Sequence, residues 1–238
     1  MKVIQYSTNK YGENIPVELK EALYMGGPAI AKVADGKKNS GFLGFGVAIT
    51  GSSCYNLAKM EASERRALLE QIYGKDGLGL SVARLTIGSS DYSAELYSYD
   101  DVDGDEALEH FSVARDEEYV IPMIKEILEI NPELYLFASP WSPPGWMKTG
   151  GSMCGGHMRA KYVECYAEYF VRFIKAYASH GIKIRAVTPQ NEPETQQFGM
   201  MPACCWNPET EVEFVRALRG KLCEESFARV DFLTSRSG

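Results

Sequence analysis

Apolar runs and helix-spaced apolar positions alternate along most of this chain. The run Gly41-Phe-Leu-Gly-Phe-Gly-Val-Ala-Ile-Thr50 reads as a first buried strand, with glycines where backbones approach closely. Leu57, Met60, Leu68, Leu69 and Ile72 then recur at helical spacing, and Gly74 offers a cheap left-handed cap. Asp76-Gly77 turns the chain into Ser81-Val-Ala-Arg-Leu-Thr-Ile87, a second strand. Val120, Ile121, Ile124, Ile127 and Leu128 mark a second helix, with Pro122 tolerated in its first turn and Asn131-Pro132 ending it. Leu134-Tyr-Leu-Phe-Ala138 is a third strand. A third helix, about Ala160 to His180, aligns Tyr162, Tyr166, Phe170, Phe173 and Tyr177 in one stripe, which reads as core packing. Gly181 ends it and Ile184 to Val187 supplies a fourth strand. Asn207-Pro208 opens a fourth helix with a cap residue and a proline at the first helical position, and Val212, Val215, Leu218 and Leu222 form its apolar face. Val230-Asp-Phe-Leu233 hints at a fifth strand.

Strand then helix, repeated in this way, is the pattern of a (β/α) barrel. The expected class is α/β of the (β/α)8 TIM-barrel type, truncated to about the first four βα units, because a closed barrel needs eight strands in about 250 residues. Residues 1–40 read as a β-rich appendage with turns at Gly26-Gly27-Pro28 and Asp35-Gly36 and β-like pieces at Val3 to Tyr6 and Ala29 to Val33. Residues 41–238 are the partial barrel. An open parallel sheet of this kind leaves two edges unpaired, so self-association through barrel edges is expected.

Composition narrows the function classes. The 238 residues carry a net charge of −7, with 45% hydrophobic and 24% charged residues, an ordinary globular balance without the basic footprint of a nucleic-acid binder. No stretch approaches the roughly twenty apolar residues that span a bilayer, and the start Met1-Lys2-Val3-Ile4-Gln5 lacks the apolar core of a signal peptide, so a cytoplasmic location is expected. Cys54, Cys154, Cys165, Cys204, Cys205 and Cys223 show no C-x-x-C spacing and read as reduced and mostly structural. With only His110, His157 and His180, far apart, no zinc set forms, and no glycine-rich loop has phosphate-binding spacing.

The chemistry concentrates at Ile184 to Glu194. An apolar run stops at Pro189 and delivers Gln190, Asn191 and Glu192 to the strand's C-terminal end, the rim where parallel α/β sheets hold their sites. Pro193 is expected to hold Glu192 in an extended, restricted backbone. Ser139-Pro-Trp-Ser-Pro-Pro-Gly-Trp-Met147, rich in proline and tryptophan, is too stiff for an idle connection. Gly88 to Ser93 brings one carboxylate, Asp91, and the acidic turns at Asp100 to Asp105 read as solvated.

Gly44-Phe-Gly46, Arg84-Leu-Thr-Ile-Gly-Ser-Ser-Asp-Tyr-Ser93, Ala138-Ser-Pro-Trp-Ser-Pro-Pro-Gly-Trp-Met-Lys-Thr149 and Ala186-Val-Thr-Pro-Gln-Asn-Glu-Pro193 resemble, in order, motifs of glycoside hydrolase family 30, which includes the glucosylceramidases. The resemblance implies a retaining β-glycosidase with a TIM barrel beside a β-sandwich to which the amino-terminal segment contributes. It implies that Glu192 is the catalytic acid/base and Asn191 the neighbour bonding the sugar 2-hydroxyl. It further places Asp91 and Trp141 in the glycone pocket, the indole face packing on the sugar, and Arg84 near the nucleophile. No cofactor is implied. Retaining hydrolysis needs two carboxyl groups roughly 5 Å apart, and no residue here matches the family's nucleophilic glutamate; Glu194 is too close along the chain to Glu192. The expected function is therefore that of a glycosidase fragment acting on a β-linked carbohydrate or glycolipid, with little activity alone. The alternative is a non-catalytic, sugar-binding half-barrel or a subunit completed by a partner chain.

Overall fold

The computed structural model describes residues 3–19, 41–196, 199, 201–227 and 229–233. It divides into two compact units, Met1–Phe42 and Leu43–Gly238. In the first, β1 (Val3–Thr8) and β2 (Asn14–Leu19) pair antiparallel from Val3 opposite Leu19 to Thr8 opposite Asn14. Asn9 makes the turn: its side-chain oxygen accepts from the Tyr11 and Glu13 amides at 2.9 and 3.1 Å, and Gly12 takes φ +78°. The Val3 to Tyr6 expectation thus falls within β1. Its partner β2 was not legible as a strand, and Ala29 to Val33 lies outside the described residues.

The second unit is a five-stranded, wholly parallel sheet in sequence order. Its strands are β3 (Gly46–Ile49), β4 (Val82–Ile87), β5 (Tyr135–Pro140), β6 (Ala186–Val187) and β7 (Asp231–Phe232). Between them run α1 (Gly51–Ala58), α2 (Ala62–Tyr73), α3 (Ala114–Glu118), α4 (Val120–Ile130), α5 (Val163–Ser179) and α6 (Pro208–Glu224). Each strand pairs only with its sequence neighbours, which makes four βα units and a fifth strand of a TIM-barrel-type sheet. The hint at Val230 to Leu233 is realised: the Asp231 and Leu233 amides donate to the Arg185 and Val187 carbonyls, both at 2.9 Å.

Strand alternation sorts the side chains. Ala83, Leu85, Ile87, Leu136 and Ala138 are buried in one cluster with the helices, while Arg84 and Phe137, at the positions between, stay partly open on the other face. The aromatic stripe of α5 is fully within that core, with Tyr166 and Phe170 ring centres 5.2 and 5.1 Å from Phe214 of α6. Burying each phenylalanine contributes about 1.5–3 kcal/mol. A polar hub sits in the same core: buried Asp116 of α3 accepts from the hydroxyls of Tyr97, Tyr99 and Tyr177 at 3.0, 2.5 and 2.7 Å, tying the long loop after β4 to α5.

Several local expectations are corrected. The first strand is not buried: only Gly46–Ile49 pair, and at this sheet edge Phe45 and Val47 are 75% and 46% exposed. The close approach does hold, since a Cβ on Gly46 would lie 2.0 Å from the Val82 carbonyl. The first helical stretch is two helices, α1 and α2, separated at Lys59 to Glu61. Gly74 is extended (φ −71°, ψ 152°), not left-handed, because the α2 carbonyls of Gln71 and Ile72 are capped instead by the amides of Leu78 and Leu80 at 2.7 and 3.1 Å. That return brings Gly77 so near that a Cβ there would meet the Gln71 carbonyl at 2.1 Å. Asp100 is not solvated but 1% exposed.

Candidate active site

Because all five strands run the same way, the loops at 88–113, 141–159 and 188–207 leave from one rim. Arg84, on the open face of β4, reaches up to it. Its guanidinium carbon lies 4.4 Å from the ring centre of Trp141, and its Nη1 is 3.5 Å from Asn191 Oδ1. Burial draws the Arg84 pKa down, and the carboxylates of Asp91 and Glu192 push it back up, so both acids lie within its field. Trp141, Asn191 and Glu192 border one tight crevice, without room for a water molecule, together with Thr195, Met201, Pro202 and Ala203. Asp91 lines the adjoining hollow, which shares Met201. Four of the five residues expected from the sequence, Asp91, Trp141, Asn191 and Glu192, therefore gather around the guanidinium of the fifth, Arg84.

Local bonding explains how the stretch after β6 is aimed. The Thr188 and Asn191 amides continue the ladder onto the carbonyls of Ala138 and Pro140 at 2.9 and 2.8 Å. Gln190 turns inward: its Nε2 donates to the Trp141 carbonyl at 2.6 Å, and its Oε1 accepts from the Trp206 indole at 3.2 Å. Gln190 was visible in sequence only as a member of the amide–amide–carboxylate run, and its inward bonding has no signal there. The expectation of an extended Glu192 is overturned, since its φ is +48°. A turn closed by the Thr195 amide on the Glu192 carbonyl at 3.0 Å holds this left-handed backbone, and the Trp206 amide fixes the Pro193 carbonyl at 2.9 Å. A side-chain-bearing residue there stores about 1–3 kcal/mol of strain, a condition that clusters at functional sites.

Trp141 differs from its expected use. It is 5% exposed, with Arg84 over its ring, so it does not offer a broad stacking face to a sugar. Among the described residues its indole N–H has no hydrogen-bond partner. Nor do three or more metal-ligating side chains group together among them.

Parallel strands joined by helices, with a cation, two acids, an amide and an indole gathered at the strand-end rim, define a protein of the (β/α)-barrel class. The chain belongs to glycosyl hydrolase family 30: residues 42–231 match that family's TIM-barrel domain. It is 34% identical over 232 residues to putative glucosylceramidase 4 of Caenorhabditis elegans, across 92% of this chain and 44% of that protein. It is 32% identical to the lysosomal acid glucosylceramidase of Mus musculus, across 75% of this chain and 36% of that protein. Among solved structures, the endo-β1,6-glucanase BT3312 superposes with a TM-score of 0.74 at 38% identity, covering 79% of this chain and 42% of that one. The chain thus spans less than half the length of the relatives it matches. No described helix is long and apolar enough to cross a membrane.

Proposed function

We propose that this chain carries the acid/base half of a retaining β-glycosidase site acting on β-linked glucosides, with Glu192 as the proton donor. The observation that carries the reading is the convergence of Glu192, Asn191 and Trp141 beside Arg84 at the strand-end rim. Glu192 protonates the leaving oxygen and then, as carboxylate, draws a proton from the water that releases the sugar. Asn191, fixed by Arg84, bonds a sugar hydroxyl next to the anomeric carbon. Trp141 contributes its free indole N–H rather than its face, and Asp91 binds hydroxyls from the adjoining hollow. Arg84 balances the negative charge of the acids and keeps Asn191 in register.

The attacking carboxylate of such a mechanism stands roughly 5 Å from the acid. These 238 residues contain no match to it, so on this reading they hydrolyse glycosides poorly by themselves. The glucosylceramidase and β-1,6-glucanase relatives support a glucose-containing β-linked substrate, glycolipid or glucan. The cytoplasmic location is proposed alongside and is tested by fractionating a tagged full-length protein against cytosolic and vesicular markers. The deciding experiment compares Glu192→Gln with wild type, in the full-length protein that carries this sequence, on alkyl and dinitrophenyl β-glucosides. Loss of a proton donor slows the alkyl substrate, whose leaving group needs protonation, far more than the dinitrophenyl one. Equal effects on both substrates, or none, would remove Glu192 from the role.

A further inference from the structure

We propose that Lys148 is a positioning residue for the glycoside site: its ammonium pins two points of its own rim loop, Ser142 and Met153, to Ala203 of the loop at 188–207 and so sets where the wall at Pro202 and Ala203 stands relative to Trp141 and Glu192. The proposal rests on the glycosidase reading for what the site binds, and on geometry alone for what the lysine holds. Lys148 is 0% exposed. Its Nζ donates to Ser142 Oγ at 2.8 Å, to the Met153 carbonyl at 2.7 Å and to the Ala203 carbonyl at 2.6 Å. An ammonium has three N–H donors, and here each has an acceptor.

Those acceptors are placed where the site is built. Ser142 directly follows Trp141, and Ala203 itself borders the crevice at Glu192. Met153 also takes the Ala203 amide at 3.0 Å, so two segments already in contact are locked by one cation. Among the described residues Lys148 has no carboxylate partner. Burying a cation this way costs several kcal/mol, whereas methionine would fill a similar volume without that penalty. The expense is explained if the position serves geometry rather than packing.

The titratable groups around it are the thiols of Cys154, Cys204 and Cys205. Burial pushes the Cys204 thiol up to about 12, so it stays protonated and supplies no counter-charge at neutral pH. Burial likewise draws Lys148 down to about 8. Above that pH a neutral amine keeps two donors and turns a lone pair toward one of its three oxygens, which releases one segment of the rim.

The test uses the full-length protein and follows tryptophan emission, to which Trp141, Trp146 and Trp206 contribute from the pinned segments or their borders. Tryptophan emission titrated from pH 6 to 9 shows a step near the lysine pKa in wild type and none in Lys148→Met. Ser142→Ala, which removes one acceptor of the charged form without adding a buried charge, moves the step to lower pH. At pH 6, Lys148→Met raises KM for a β-glucoside about tenfold with kcat changed less than about twofold, the pattern of lost binding geometry. A step that persists in Lys148→Met, an unmoved step in Ser142→Ala, or a wild-type KM in Lys148→Met overturns the proposal. The emission steps do not depend on turnover: a wild-type protein that cleaves no β-glucoside defeats the glycosidase reading, while the titration still decides the lysine.

Discussion

The guanidinium of Arg84 covers the ring of Trp141 at 4.4 Å and at the same time reaches Asn191, so one strand side chain fixes parts of two different rim loops. A lysine at this position keeps the charge but lacks the planar fork that can lie on an indole and bond an amide together. Arg84→Lys is expected to lower kcat/KM for a β-glucoside about tenfold and Arg84→Met about a hundredfold, with Trp141 emission altered in both. Steady-state kinetics and emission spectra of the two variants check this, and an unchanged kcat/KM in Arg84→Met removes the arginine from the site.

Gln190 is the clamp between the two loops. Replacing it with leucine keeps the volume but leaves the Trp141 carbonyl and the Trp206 indole N–H without partners. The expected loss is about 1–3 kcal/mol of stability, read by urea unfolding, together with a fall in kcat/KM larger than that of a surface control.

Asp116 answers three tyrosine hydroxyls at once. Asp116→Ala strands those donors in the core and is expected to cost about 3 kcal/mol, while Asp116→Asn, which retains one acceptor oxygen, costs less. Both variants loosen the rim loop at 88–113 through Tyr97 and Tyr99, so a folded fraction is expected to show a raised KM as well.

Asp100 gives a pH signature. Burial first, and the neighbouring Asp105 carboxylate further, raise its pKa from 3.8 to about 6, although the Val102 amide works the other way. Among the described residues its Oδ2 is buried without a hydrogen-bond partner. The folded state therefore binds the proton more tightly than the unfolded chain: the contribution is fully present below about pH 4 and is lost as pH rises through about 6. His110, whose pKa the Asp105 hydrogen bond raises, loses its own contribution at higher pH still. Thermal midpoints measured across pH 4 to 7 are expected to fall in wild type, and Asp100→Asn is expected to flatten the lower step alone.

Much of this was legible because it follows from periodicity and punctuation. The α5 stripe and the strand at Ser81 to Ile87 announced themselves, since each buries a regular set of apolar side chains, whereas β7 was only hinted at, its Asp231 being exposed and its Phe232 half-buried. The motif residues Arg84, Asp91, Trp141, Asn191 and Glu192 were all named from sequence, and the structure gathers them at one rim. What escaped depends on particular hydrogen-bond partners that no periodicity announces. Glu192 obeys the turn closed by Thr195 rather than the local preference set by Pro193. Gly74 gives up its left-handed cap because Leu78 and Leu80 return to close the helix. Lys148 appeared in sequence only as a member of the Ala138 to Thr149 motif, and its three acceptors lie 5, 6 and 55 residues away.

The positive φ at Glu192 has an evolutionary edge. Glycine suits that backbone better by about 1–2 kcal/mol, and either glutamate codon becomes a glycine codon by one transition. A library of this protein screened for heat resistance alone would therefore enrich a hardened molecule with no proton to give, so any such campaign must select on sugar released rather than on survival.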